Sequence, residues 1–100
     1  MTKDEALEII KEENLVNYSW FGNEVKKNWG ILKDMTAIDY TNDRWVTYII
    51  GERDCIMDNT QLYFEFEGEA LDDFIRRLRL GKEIMESEIR RKEEVAEKNR

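Results

Sequence analysis

The chain has 100 residues, 39% of them charged and 41% hydrophobic, with a formal net charge of −7; a chain this short builds one core, so a single domain over residues 1–100 is expected. It has no histidine, and Cys55 is its one cysteine, which removes the side chain most used for acid–base work near neutral pH and leaves no intramolecular disulfide. No apolar run approaches the roughly 20 residues of a membrane span, and the acidic start Met1-Thr2-Lys3-Asp4-Glu5 is unlike a signal peptide, so a cytoplasmic protein with no membrane partner is expected.

Thr2 stands three residues before Glu5, the spacing at which a hydroxyl and a carboxylate each satisfy an amide of a helix's first turn. Ala6, Ile9 and Ile10 follow at helical spacing with Leu7 beside them, and a helix is predicted from Lys3 to about Glu13. From Leu15 the period falls to about two, with Val16, Tyr18 and Trp20 alternating against Leu15, Asn17, Ser19 and Phe21, which is strand chemistry. Gly22-Asn23 suits a hairpin turn. A strand is expected at Trp29–Leu32, while Glu24–Asn28 stays open because Phe21, Val25, Trp29 and Leu32 also fit one helical face. Met35–Tyr40 alternates again, Thr41-Asn42-Asp43 is a turn, and Trp45–Ile50 has the strongest strand pattern in the chain. Gly51-Glu52-Arg53-Asp54 turns, Cys55-Ile56-Met57 forms a short pairing, and Asp58-Asn59-Thr60 turns again.

Leu62, Phe64 and Phe66 then alternate with Tyr63, Glu65 and Glu67, the pattern of a half-buried antiparallel strand with one apolar and one acidic face. Gly68 ends it, and a helix from Glu69 carries the stripe Leu71, Phe74, Ile75, Leu78, Met85, Ile89. Gly81 costs about 1 kcal/mol relative to Ala inside a helix and marks the place for a kink or a junction of two helices. Beyond Ile89 only Val95 and Ala96 offer apolar surface, so residues 90–100 are expected to form a fraying helical tail. The expected fold is α+β: an N-terminal helix, a meandering antiparallel sheet of four to five strands, and a long C-terminal helix, with the helices gathered on one face.

Charge is segregated along the chain. Ile31–Ile75 holds eleven acids against three bases, whereas Arg76–Arg100 holds nine bases against six acids. Trp20, Trp29, Trp45, Tyr18, Tyr40, Tyr48 and Tyr63 exceed the needs of so small a core, and some belong at the surface, where aromatic side chains beside carboxylates suit protein binding. The expected partner-binding set is Asp39, Tyr40, Asp43, Trp45, Glu52, Asp54, Asp58, Tyr63, Glu65 and Glu67; the plainer reading makes the aromatics core and boundary residues. Glu65 and Glu67, two apart on a strand, have the oxygen chemistry to take Mg²⁺ or Ca²⁺ with Asp39 or Asp58, but without EF-hand or acid-x-Lys spacing they read better as the solvated side of the strand. Cys55 lacks a histidine base and reads as a plain thiol. The bases Arg76, Arg77, Arg79, Lys82 and Arg90-Arg91-Lys92 alternate with Glu83, Glu86 and Glu88, a solvated helix face rather than a phosphate site. No catalytic residue, metal ligand, cofactor or nucleic-acid partner is therefore expected.

Trp45-Val46-Thr47-Tyr48, Glu52-Arg53, Tyr63-Phe64-x-Phe66 and Glu69-Ala70-Leu71 with Phe74 and Leu78 together form a pattern that resembles small immunity proteins of bacterial polymorphic toxin systems. The likeness covers about a third of the chain and departs from the pattern at Gly51, which looks inserted, and at Asp54, where a glycine is expected. The resemblance implies a cytosolic, non-enzymatic single domain that binds a cognate toxin and blocks it; the acidic strands suit a toxin that is a nuclease with a basic cleft. A monomer or weak homodimer is expected. The alternatives are a phage-encoded nucleic-acid mimic that inhibits a host defence nuclease, and a metal-dependent enzyme built on Glu65 and Glu67.

Overall fold

Thr2 caps the first helix, α1 (Lys3–Glu13), by accepting the Glu5 amide at 3.2 Å. Asn14 closes it in the left-handed conformation (φ 53°), and the Leu15 amide reaches back to the Ile10 carbonyl at 3.0 Å. The computed structural model describes residues 1–25, 34–51, 56–57 and 59–98. The strand expected at Trp29–Leu32, the open stretch 26–28, most of the turn after Gly51, Cys55 and Asp58 lie outside the described residues.

Asn17 is also left-handed (φ 59°). The extended run therefore starts not at Leu15 but at β1 (Tyr18–Trp20), and Leu15 drops into the core beneath α1. Phe21 and Gly22, both at positive φ (47° and 91°), make the two-residue turn to β2 (Asn23–Val25). Phe21 holds that conformation with its ring edge-on to Trp20 at 5.2 Å and the Lys3 ammonium 4.6 Å from its centre. A second two-residue turn, Asn42-Asp43 (φ 52° and 60°), joins β3 (Met35–Thr41) to β4 (Arg44–Ile50), and β5 (Leu62–Phe64) adds outside β4.

The strand order is β2-β1-β3-β4-β5, and β1 pairs with β3 in parallel. The α+β class and element order stand, but the sheet is mixed rather than a purely antiparallel meander. The three exposed residues of β2 suit an edge, and the long, buried β3 takes the inner place beside β1 instead of following its sequence neighbour β2. Strand β5 is also shorter than the alternation suggests. Trp45 pairs with Phe64, and only Arg44 remains of β4 beyond it, so the ladder ends and Glu65-Phe66 bends into α2 (Glu67–Lys98). Of the expected apolar face, Phe64 packs on the core, whereas Leu62 and Phe66 are exposed.

Helix α2 runs without interruption through Gly81. Its stripe Leu71, Phe74, Ile75 and Leu78 meets Ala6 and Ile10 of α1 and Ile38 of β3, and Phe74 receives the edges of Tyr18 and Trp20 at 6.0 and 5.8 Å. Arg79 forks onto Glu13 (3.0 and 2.6 Å), and Lys82 donates to the Glu13 carbonyl, tying the end of α1 to α2. That fork holds the exposed Glu13 carboxyl below its ordinary range. A buried polar cluster fixes α2 to the sheet. Asp73 accepts from Thr47 (2.6 Å) and Arg76 (2.7 Å) and pairs with Arg77 (2.9 Å), which also donates to the Thr60 carbonyl at 2.8 Å.

Candidate protein-binding face

Pairing register sorts the strand residues onto two faces. Tyr18, Trp20, Ile38, Trp45, Thr47 and Phe64 share the face toward the helices; Ser19, Ala37, Asp39, Val46, Tyr48 and Tyr63 share the other. That second face is not simply wet, because Ser19, Met35, Ala37 and Val46 are buried there.

On it, Asp39 of β3 lies opposite Val46, and Val46 lies opposite Tyr63 of β5. This row makes a trough about 10 Å across, two strand spacings, with a carboxylate on one wall, an apolar floor and a phenol on the other wall. The open volume above it is about 320 Å³, bounded also by Tyr48, Ile56 and Gln61. The Tyr48 hydroxyl donates to Asp39 Oδ2. Burial first, then the hydrogen bond and charge of Asp39 and the charge of Glu24, push the Tyr48 phenol up to about 12, so it remains a donor throughout the physiological range.

The expected site residues divide by place. Asp39 and Tyr63 form the trough walls, and Tyr63 is 54% exposed. Tyr40 pairs with Trp45 and so belongs to the opposite, helix-side face, where it is 52% exposed and rests its ring on Trp45 at 4.7 Å. Trp45 is half-buried against the core, so its outer neighbour Tyr40 presents the aromatic surface there. Asp43 sits exposed in the turn at the same end of the sheet. Glu65 is in the bend and Glu67 opens α2 with Lys3 at 3.9 Å, so the two no longer share a strand face and the pairing that suggested a cation site is not formed. Glu52, Asp54 and Asp58 lie outside the described residues.

Val46, Tyr48, Ile56 and Gln61 were not legible as site residues. Their signal lies in the register Asp39–Val46–Tyr63 and the bridge Ile50–Ile56, which alternation within each strand does not specify. Among the described residues no group of three or more His, Cys, Asp or Glu side chains is placed to hold a metal ion, and no helix is long and apolar enough to cross a membrane. Comparison of the chain with protein-family models, curated proteins and solved structures gives no match.

Proposed function

We propose that this chain is an immunity protein that binds a cognate bacterial toxin domain and occludes its basic active-site cleft. The observation that carries the reading is the end of the sheet where the exposed Tyr63 stands on one face with Asp39, the exposed Tyr40 on the opposite face, and Asp43 in the adjoining turn. Aromatic anchors supply most of the energy of protein interfaces, and complementary charge speeds encounter and selects the partner. The sequence pattern across Trp45–Leu78 supports the same assignment. A nuclease cleft, built to hold phosphate, is the kind of surface such a face fits.

The test is co-expression with whatever candidate toxin domain the gene's neighbourhood encodes. Cells carrying the toxin alone should stop growing, and cells carrying both should recover. Purified Tyr40→Ala/Tyr63→Ala protein should keep the wild-type melting curve, because both rings are half outside the fold, yet bind the toxin roughly 30-fold or more weakly, the loss expected for anchor residues. Absence of protection, or unchanged affinity in the double variant, would sink this reading.

A further inference from the structure

We infer that the crevice where α2 crosses the start of β3 is a binding site for a small neutral amphiphile, a compound with one hydroxyl on an apolar body. The crevice has a narrow inner part of about 40 Å³ and an open outer part of about 460 Å³, and Asp34, Thr36, Arg77 and Gly81 border both. Thr36 pairs with Ile49 two positions along from the Ile38–Thr47 pair, which puts the crevice on the helix side of the sheet, at the end away from Tyr40 and Asp43. This end is separate from the partner face proposed above, so the two stand or fall independently. Gly81 leaves the crevice unfilled, because a Cβ added there meets nothing within 4 Å, although glycine inside a helix is disfavoured relative to alanine.

Thr36 is the polar feature that points to a ligand. It is 8% exposed, and its amide donates to the Asn17 carbonyl at 3.1 Å, but among the described residues its hydroxyl has no hydrogen-bond partner. Thr47, the other buried threonine, donates to Asp73, and the buried Ser19 lies on the opposite face of the sheet. A buried hydroxyl left unpaired costs free energy that a ligand recovers by supplying the partner. Asp34, two residues earlier, is exposed and has no ion pair among the described residues. As a carboxylate it only accepts, so a ligand hydroxyl meets both groups at once, accepting from Thr36 and donating to Asp34. A charged head is disfavoured in either sign, since Asp34 repels an anion and Arg76 and Arg77 repel a cation. Met57, Leu80 and Ile84, which wall the outer part with Ile49, are 42%, 49% and 48% exposed. Water answers the Thr36 hydroxyl but not this apolar wall, which the body of an amphiphile covers. A volume of about 460 Å³ falls within the range of small-molecule sites.

The experiment titrates the ¹⁵N-labelled full chain with benzyl alcohol, ethylbenzene, benzylamine and benzoate, which share a ring and differ in the head. Benzyl alcohol is expected to give saturable shifts confined to the amides around the crevice, Thr36, Ile49, Met57, Gly81 and Ile84 among them, and the ammonium and the carboxylate to bind roughly tenfold or more weakly. Thr36→Val, which keeps the shape and removes the hydroxyl, should weaken benzyl alcohol about fivefold and leave ethylbenzene unchanged. Gly81→Leu, whose side chain fills the crevice, should abolish binding of both, and it decides the matter if Thr36→Val proves unfolded. Absence of saturable shifts, shifts spread along the exposed helix, equal binding of the charged compounds, or an unaffected Gly81→Leu variant would overturn the assignment. So would a Thr36→Val variant that keeps its affinity for benzyl alcohol, or loses both neutral compounds alike, since the hydroxyl would then recognise nothing on the ligand.

Discussion

Asp73 is 9% exposed, and its charge makes it the most consequential single residue of the core. Burial by itself raises a carboxyl's pKa. Here the hydrogen bonds from Thr47 and Arg76 and the charges of Arg77 and Arg76 outweigh that, and the group is held below its ordinary value of 3.8. A carboxylate with a depressed folded pKa adds stability that is complete above the unfolded value and is lost as pH falls through the folded one. Asp73→Asn strands Arg77, whose side chain is 12% exposed, without its anion. Breaking such a pair costs about 3 kcal/mol, the low end of the range for buried pairs because Arg76 is largely solvated. Urea unfolding at pH 7 should show that loss, and the gap between variant and wild type should narrow toward pH 2 as Asp73 itself becomes neutral. A gap that stays constant with pH would mean the variant acts through packing instead.

At the scale of elements, glycine position separates two kinds of effect. Gly81 sits in the continuous helix α2, and a Cβ added there meets nothing within 4 Å. Gly81→Ala should therefore stabilise by about 0.5–1 kcal/mol, by removing freedom from the unfolded chain. Gly22 also has open space, but its φ of +91° lies where L side chains are strained, so Gly22→Ala should destabilise by about 1–2 kcal/mol. Opposite shifts in the urea midpoint check both statements. The helix boundary at Glu13 and the strands expected at Met35–Tyr40 and Trp45–Ile50 were legible because local chemistry sets them: a threonine cap, a left-handed asparagine, alternation in the first strand and a run of β-branched and aromatic residues in the second. Strand β5 was legible only as far as Phe64, since its end depends on where β4 stops supplying partners.

For the whole molecule, the segregated charge of the sequence is partly offset in space. Asp73 of the acidic block is neutralised by Arg76 and Arg77 of the basic one, and Glu67 and Asp72 lie against Lys3 and the Met1 amine. The acidic surface left to a partner is smaller than the count along the chain implies. Helix α2, about 48 Å long at 1.5 Å per residue, accounts for most of the 56 Å longest dimension. Among residues whose side chains are described, Met85 is the last that is buried, and Val95 and Ala96 are the only apolar residues after Ile89. Removing residues 90–100 should change stability by less than about 0.5 kcal/mol, since a helix end with so little apolar sequence gains little from propagation. Sedimentation of the full and truncated chains checks the further expectation of a monomer in both; a dimer that dissociates on truncation would show instead that the helix end is an interface.

The sequence by itself determined the helices, the main strands and the turn at Asn42-Asp43, because each depends on residues within a few positions of one another; the first turn, expected at Gly22-Asn23, falls one residue earlier at Phe21-Gly22, with Asn23 already in β2. It also determined which residue types gather at the surface: aromatics and carboxylates with no histidine among them. Only the tertiary structure decided that β3 lies parallel to β1, that Glu65 and Glu67 leave the sheet, that the acids at 67, 72 and 73 find cations inside the fold, and that Asp39, Val46 and Tyr63 form one row. Each of these depends on register or on contacts between distant segments. Such contacts are chosen by how much apolar surface the whole chain can bury at once, and no local pattern carries that sum.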